Sequence, residues 1–216
     1  MANSANFEKQ AGLRSLVRLE RLTEVIYGIT LLQLLFSLQR PEAEQLLNAS
    51  AFHNYLEEQW PMFKLYITTF FLVIVYWQSH ISLFNCFRRS DSLMIWLQIT
   101  GLMAVAVVPF VNDLQGLTPG DTTTQLLYSI VLGSVGVINL LLLLHGSRHK
   151  ELLVSGLAEN SLRNKALEAS VEPLVFIVSA LVSLFISPTL WAWSFILLVP
   201  GYGMLWWRGR NVSPAK

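Results

Sequence analysis

The chain has a single cysteine, Cys86, among 216 residues, which excludes an internal disulfide and leaves no cysteine pair to hold a metal. Charge is scarce as well. Asp, Glu, Lys and Arg make up 13% of the residues against 53% hydrophobic, and mean hydropathy is +0.49; soluble domains carry roughly 25% charged residues. The shortage is greatest in the interiors of the last four of six apolar stretches, which contain no Asp, Glu, Lys, Arg or His. Ionisable groups at mid-membrane usually mark proton relays, coupling-ion sites or catalytic centres, so their absence argues against a proton-coupled pump and most intramembrane enzymes. No H-E-x-x-H motif and no glycine-rich phosphate loop occur. An enzyme built on Glu24 and His80 would lack both a metal set and a nucleophile constellation. No enzymatic activity, metal, cofactor or nucleic-acid partner is expected. The apolar runs are continuous, not alternating, which excludes a transmembrane barrel. No small-residue cleavage site follows the first of them, so it does not read as a cleaved signal peptide.

What is present is a pattern of spans and connectors. The apolar stretches run roughly over Leu22–Gln39, Leu65–Gln78, Ser92–Val111, Thr123–His145, Pro173–Ser187 and Leu190–Trp207. Several approach the ~20 residues needed to cross hydrocarbon, and amphipathic flanks lengthen the others. Thirteen of the fifteen Lys and Arg fall before the first span, after the second, after the fourth and after the sixth; only Arg40 and Lys64 lie on the other side. By the positive-inside rule both termini are cytoplasmic. The fold class expected is therefore an all-α polytopic membrane protein with six transmembrane helices. Residues 1–12 read as a flexible cytoplasmic terminus, 13–208 as one membrane domain and 209–216 as a cytoplasmic tail. The lipid bilayer is a partner by construction, and a bacterial inner membrane is the expected location.

Between the spans, Arg40-Pro41 should end the first helix, because proline lacks the donor a continuing helix needs. Glu42–Glu58 reads as a short amphipathic segment on the outer side. Asn112-Asp113 together with Thr118–Asp121 reads as the second outer turn, with Asp121 capping the fourth helix. Glu159–Ala169 has helix-forming composition and is expected to lie at the membrane surface. Most of the seven tryptophans fall near span ends, where an apolar ring with one polar N–H favours the headgroup region. Trp77 is the candidate exception.

Two segments go beyond composition. Arg18-x-x-x-Leu22-Thr23-Glu24, running into Ile29, resembles the Arg-x-x-x-Phe-Ser-Asp signature that opens the first span of the transmembrane protein 175 family. Tyr76-Trp77-x-x-His80-x-x-x-Phe84, then Arg89-x-Asp91 and Val107-Val108-Pro109-Phe110, resembles that family's second-to-third-span region. The spacing Arg163, Leu167, Pro173-x-Val175-Phe176 is similar too. The chain departs from the signature at Leu22, Thr23 and Glu24, although the last two keep a hydroxyl and a carboxylate.

The resemblance implies a potassium-permeable channel that lacks a carbonyl selectivity filter and builds its pore from the first span. The bulky constriction five residues after the acid would be Ile29. Leu32 stands where a threonine is common, and Gln33 and Phe36 share a face with Ile29 at helical spacing. Gln33 is costly in hydrocarbon unless it faces a pore, water or a partner helix. Both pore lining and an interhelical hydrogen bond account for it. Arg18, Thr23, Glu24, Trp77 and His80 would form a polar network between the first two helices; ordinary interfacial solvation is the alternative. A subunit this small does not enclose an ion path alone, so a homotetramer around the first helix, conducting monovalent cations, is the leading expectation. The alternative is a non-conducting scaffold or regulatory subunit that retains the fold.

Overall fold

The computed structural model describes residues 2–38, 40–157 and 159–198. Five long helices account for most of them: α1 (Ala2–Leu35), α2 (Ala49–Phe84), α3 (Ser92–Leu117), α4 (Thr122–Arg148) and α5 (Glu159–Phe185). Short 3-10 turns fill Ala43–Leu46, Lys150–Leu152, Pro188–Leu190 and Ala192–Leu197. The described secondary structure is all-helical apart from one isolated antiparallel bridge, Phe87 to Leu153. Among the described residues four helices are long and apolar enough to cross a membrane: α2, α3, α4 and the part of α5 from Asn160. The sixth stretch, expected to run to Trp207, continues beyond the described residues.

Local chemistry explains where three of the helices start. Asn48, Asp91 and Asp121 each sit in extended conformation and accept a hydrogen bond from the amide three residues on, at 2.8, 2.9 and 2.8 Å. Each cap is worth about 1 kcal/mol. Asp91 also meets the His145 ring at 2.7 Å. Burial opposes its ionisation, but the Met94 amide and His145 outweigh that and hold the carboxyl below its usual value.

Several boundaries differ from expectation. α1 begins at Ala2, takes in the polar segment 2–12, and stops at Leu35, well before Pro41. The outer segment Glu42–Glu58 is not a separate helix: after one 3-10 turn it becomes the first turns of α2, with Pro61 inside the helix. Glu159–Ala169 likewise runs straight through Pro173 into the fifth span. Proline is tolerated within membrane helices because neighbouring groups re-satisfy the freed carbonyl. Asn112 and Asp113 are not in a turn. α3 continues to Leu117 because the Asn112 amide is satisfied sideways, accepting from Thr69 Oγ1 at 2.7 Å and donating to Ser37 Oγ at 3.3 Å. The turn is Thr118–Asp121, with Gly120 at φ +84°.

Trp191 also departs from the interfacial reading. It is buried, donates to Ser129 Oγ at 3.0 Å and lies edge-on to Tyr128. Trp60, Trp96 and Trp193 are exposed, and Trp77 packs partly against the core.

The core has two parts. One contains Tyr27, Leu34, Val73, Tyr76, Val108, Tyr128, Leu132 and Phe176. The other gathers Leu16, Leu19, Phe84, Met94, Leu142 and Leu143 near the connectors at the opposite end. α4 and α5 approach closely at Gly136, where a β-carbon would lie 2.7 Å from Pro173 Cδ and 2.9 Å from Glu172 Cβ. Small residues at such crossings let helix backbones approach closely without a side chain between them.

Candidate functional site

α1 carries two longitudinal stripes, and they meet different surroundings. The inward stripe, Leu16, Leu19, Thr23, Tyr27, Thr30, Leu34 and Ser37, is buried. Three of its four hydroxyls, those of Thr23, Thr30 and Ser37, recur every seventh residue and face α3 at a constant offset. Gln98 Nε2 donates to Thr23 Oγ1 at 3.0 Å, Thr30 Oγ1 lies 3.5 Å from the Val105 carbonyl, and Asn112 Nδ2 donates to Ser37 Oγ at 3.3 Å. A seven-residue repeat with one offset is the signature of two parallel helices wound gently about each other. It fixes the register of α1 on α3 over about 21 Å.

The first of these ties forms a buried polar cluster. The Gln98 amide that reaches Thr23 also lies 3.3 Å from His80 Nε2, and Asn139 of α4 sits beside the same ring. Thr23 further donates to the Leu19 carbonyl at 2.8 Å. Thr23 and His80 are thus brought together, through a glutamine the sequence reading passed over. Arg18 and Glu24 are exposed, and among the described residues neither bonds to the cluster. Trp77 stays half-buried at the edge of the core.

A buried carboxylate lies nearby. Glu172, only 1% exposed, packs at the middle of α4 against Gly136 and interacts electrostatically with Tyr27. Glu172 falls one residue before Pro173, the expected start of the fifth span. A lone carboxylate beside an uninterrupted apolar run was the available signal.

The outward stripe is different. Leu22, Val25, Ile29, Leu32 and Phe36 are 43, 56, 46, 57 and 71% exposed. Their spacing alternates between three and four residues, the pattern of an apolar seam that packs on another helix. Arg18 continues the stripe by one turn, and Gln33, also exposed, lies next to Ile29 and Phe36. A β-carbon at Gly28 would meet nothing within 4 Å. All four candidate pore residues, Ile29, Leu32, Gln33 and Phe36, therefore share one face of α1 that the described residues leave uncovered. No group of three or more potential metal ligands occurs among the described residues.

These features describe an all-helical membrane protein whose first helix keeps an apolar face free among the described residues. The chain resembles a known family of this class: residues 18–109 match the model described as the endosomal/lysosomal potassium channel TMEM175. The matched segment spans Arg18, Thr23, His80 and Gln98. The zebrafish (Danio rerio) endosomal/lysosomal proton channel TMEM175 is 30% identical over 89 residues, 41% of this chain and 17% of that protein. A potassium channel of Streptomyces collinus is 26% identical over 93 residues, 43% of this chain and 44% of that one. The aligned segment thus spans less than half the length of these curated relatives.

Among solved structures, a lysosomal potassium-selective channel TMEM175 homolog from Chamaesiphon minutus superposes with a TM-score of 0.73 at 19% identity, over 89% of this chain and 98% of that chain. A variant of the potassium channel MtTMEM175, solved in complex with a nanobody fusion protein, gives 0.61 at 14% identity over 90 and 92%. At these identities the likeness establishes the shared fold. The relatives are ion channels and not enzymes.

Proposed function

We propose that this chain is the subunit of a passive cation channel, potassium-permeable, in which α1 from four copies lines a central path and Ile29 forms the narrowest apolar ring. Gln33 carries this reading. Lipid alone would satisfy an apolar stripe, but an amide on that same uncovered face is costly in hydrocarbon and favourable beside water or a neighbouring helix. Leu32 and Phe36 complete the lining on either side. Rings of this kind gate by dewetting, and nearby polar groups and width set selectivity. Thr23, Gln98 and His80 hold α1 in register, while Arg18 and Glu24, uncovered within the subunit, complete that network at the contact between copies. Trp77 supports it from the core side. The relatives named as potassium and proton channels support conduction of small cations as the activity.

The reading includes six spans, both termini on the cytoplasmic side and a bacterial inner membrane, from the lopsided distribution of Lys and Arg. Labelling of a cysteine at Lys165 from outside intact cells would contradict that orientation. The conduction test is ion flux into liposomes. Ile29→Asn, which eases wetting of the ring, should raise potassium flux several-fold and weaken its preference over sodium. Ile130→Asn, on the exposed face of α4, should leave both unchanged. No flux from wild type or from Ile29→Asn would favour the non-conducting scaffold.

A further inference from the structure

A second site lies away from α1, where α4 ends and α5 begins. The connectors 85–91 and 149–157 are laced together there: Arg88 N–H donates to the Leu152 carbonyl at 2.8 Å and Val154 N–H to the Cys86 carbonyl at 3.0 Å. Between them and the two helices opens a cavity of about 390 Å³, within the size range of pockets that hold small molecules or headgroups. Its lining is divided by chemistry. Arg88, Lys150 and Arg163 supply three cations, with the hydroxyls of Ser147 and Ser155 between them, while Leu143, Leu144 and Val154 contribute apolar surface.

No carboxylate among the described residues pairs with these cations. Of the four ion pairs there, none involves Arg88, Lys150 or Arg163. Arg88 is nevertheless held in place, donating through Nε to the Glu151 carbonyl at 3.0 Å and through Nη1 to Ser155 Oγ at 3.1 Å. That engages two of its five donors and orients the guanidinium without cancelling its charge. The apolar wall does not close either: Leu144 is 43% and Val154 42% exposed. The cavity stands at the level where the apolar run of α4 gives way to His145, Ser147 and Arg148, the composition expected at a membrane–water boundary.

We propose that this cavity binds an anionic phospholipid, its phosphate held by Arg88, Lys150 and Arg163 and the start of its acyl chain lying along Leu144 and Val154. Charge complementarity selects the headgroup, because unpaired guanidinium and ammonium groups match phosphate oxygens. The apolar wall selects a lipid over a free phosphate. The location agrees with the cytoplasmic leaflet, whose anionic lipids attract basic residues at the membrane surface. The site concerns α4, α5 and the connectors, so it is independent of whether α1 lines a pore.

Native mass spectrometry of the full chain, delipidated in detergent and titrated with phosphatidylglycerol, phosphatidylcholine or inorganic phosphate, tests it. Phosphatidylglycerol should be retained in preference to phosphatidylcholine, and inorganic phosphate should give no adduct at the same concentrations. Arg163→Gln should weaken phosphatidylglycerol retention about fivefold, and the triple Arg88→Gln, Lys150→Gln, Arg163→Gln variant by on the order of a hundredfold. The charge-matched triple Arg14→Gln, Arg21→Gln, Arg40→Gln should retain it as wild type does. The single variant keeps the test decisive if the triple does not fold. Equal retention of the two lipids, a phosphate adduct without a lipid adduct, or undiminished retention by Arg163→Gln would overturn the proposal.

Discussion

The α4–α5 seam and the outward face of α1 are built from similar residues and end in opposite states. At the seam, Gly136 admits Pro173 and Glu172 to distances a side chain would forbid, and Ser183 of α5 donates to Gln125 of α4 at 2.6 Å. Ser183 and Gln125 are thus paired across the seam. On α1, Leu22, Val25, Ile29, Leu32 and Phe36 repeat as regularly but remain exposed. Hydrophobicity alone does not separate the two regions. What separates them is the polar residue each carries: Glu172 is enclosed, whereas Gln33 is left facing out. On the proposed reading, a chain that buries a carboxylate yet leaves an amide uncovered on an apolar face keeps that face for water or another copy.

If that contrast is right, substitutions should act on subunit stability in a fixed order, read by thermal unfolding in detergent. Gly136→Val comes first. Its β-carbon would overlap the Pro173 ring and Glu172 Cβ, neither of which can rotate aside, and the loss should reach or exceed the about 1–3 kcal/mol typical of overpacking. Gln98→Leu follows with a loss of about 1 kcal/mol. It removes the link between Thr23 and His80, but Thr23 keeps the Leu19 carbonyl and His80 keeps Asn139. A Gly136→Val protein as stable as wild type would break the comparison at its packed end.

Much of the helical layout was legible from apolar runs and from the caps, Asp121 most directly. Two of the boundaries that escaped did so for one physical reason. Pro173 and the polar Asn112 look like breaks when only local propensity is weighed. Tertiary partners made them compatible with continuous helix, and sequence spacing does not display tertiary partners. The candidate site was partly legible. The face holding Ile29, Leu32, Gln33 and Phe36 follows from helical spacing, but Gln98 was hidden as one amide in an apolar run. The hydroxyls of Thr23, Thr30 and Ser37 at every seventh position were the clue to where such an amide was needed.

The smallest expected change in stability belongs to the outward face of α1, and there the informative quantity is proximity between copies. In a Cys86→Ser background, which removes the one native thiol, Val25→Cys should shift stability by no more than about 0.5 kcal/mol, because the residue touches little within the subunit. If α1 packs around an axis, Val25 lies on the seam one turn from Ile29, and cysteines there approach their counterparts in neighbouring copies. Mild oxidation in the membrane should then give a disulfide-linked dimer on a non-reducing gel. Ile130→Cys, at a position 64% exposed on α4 that faces lipid on this reading, should stay monomeric under the same oxidant. Equal cross-linking at both positions would mean random collision in the bilayer. Cross-linking at Ile130 alone would move the axis to α4, and Gln33 would then need a helix of another kind to explain it.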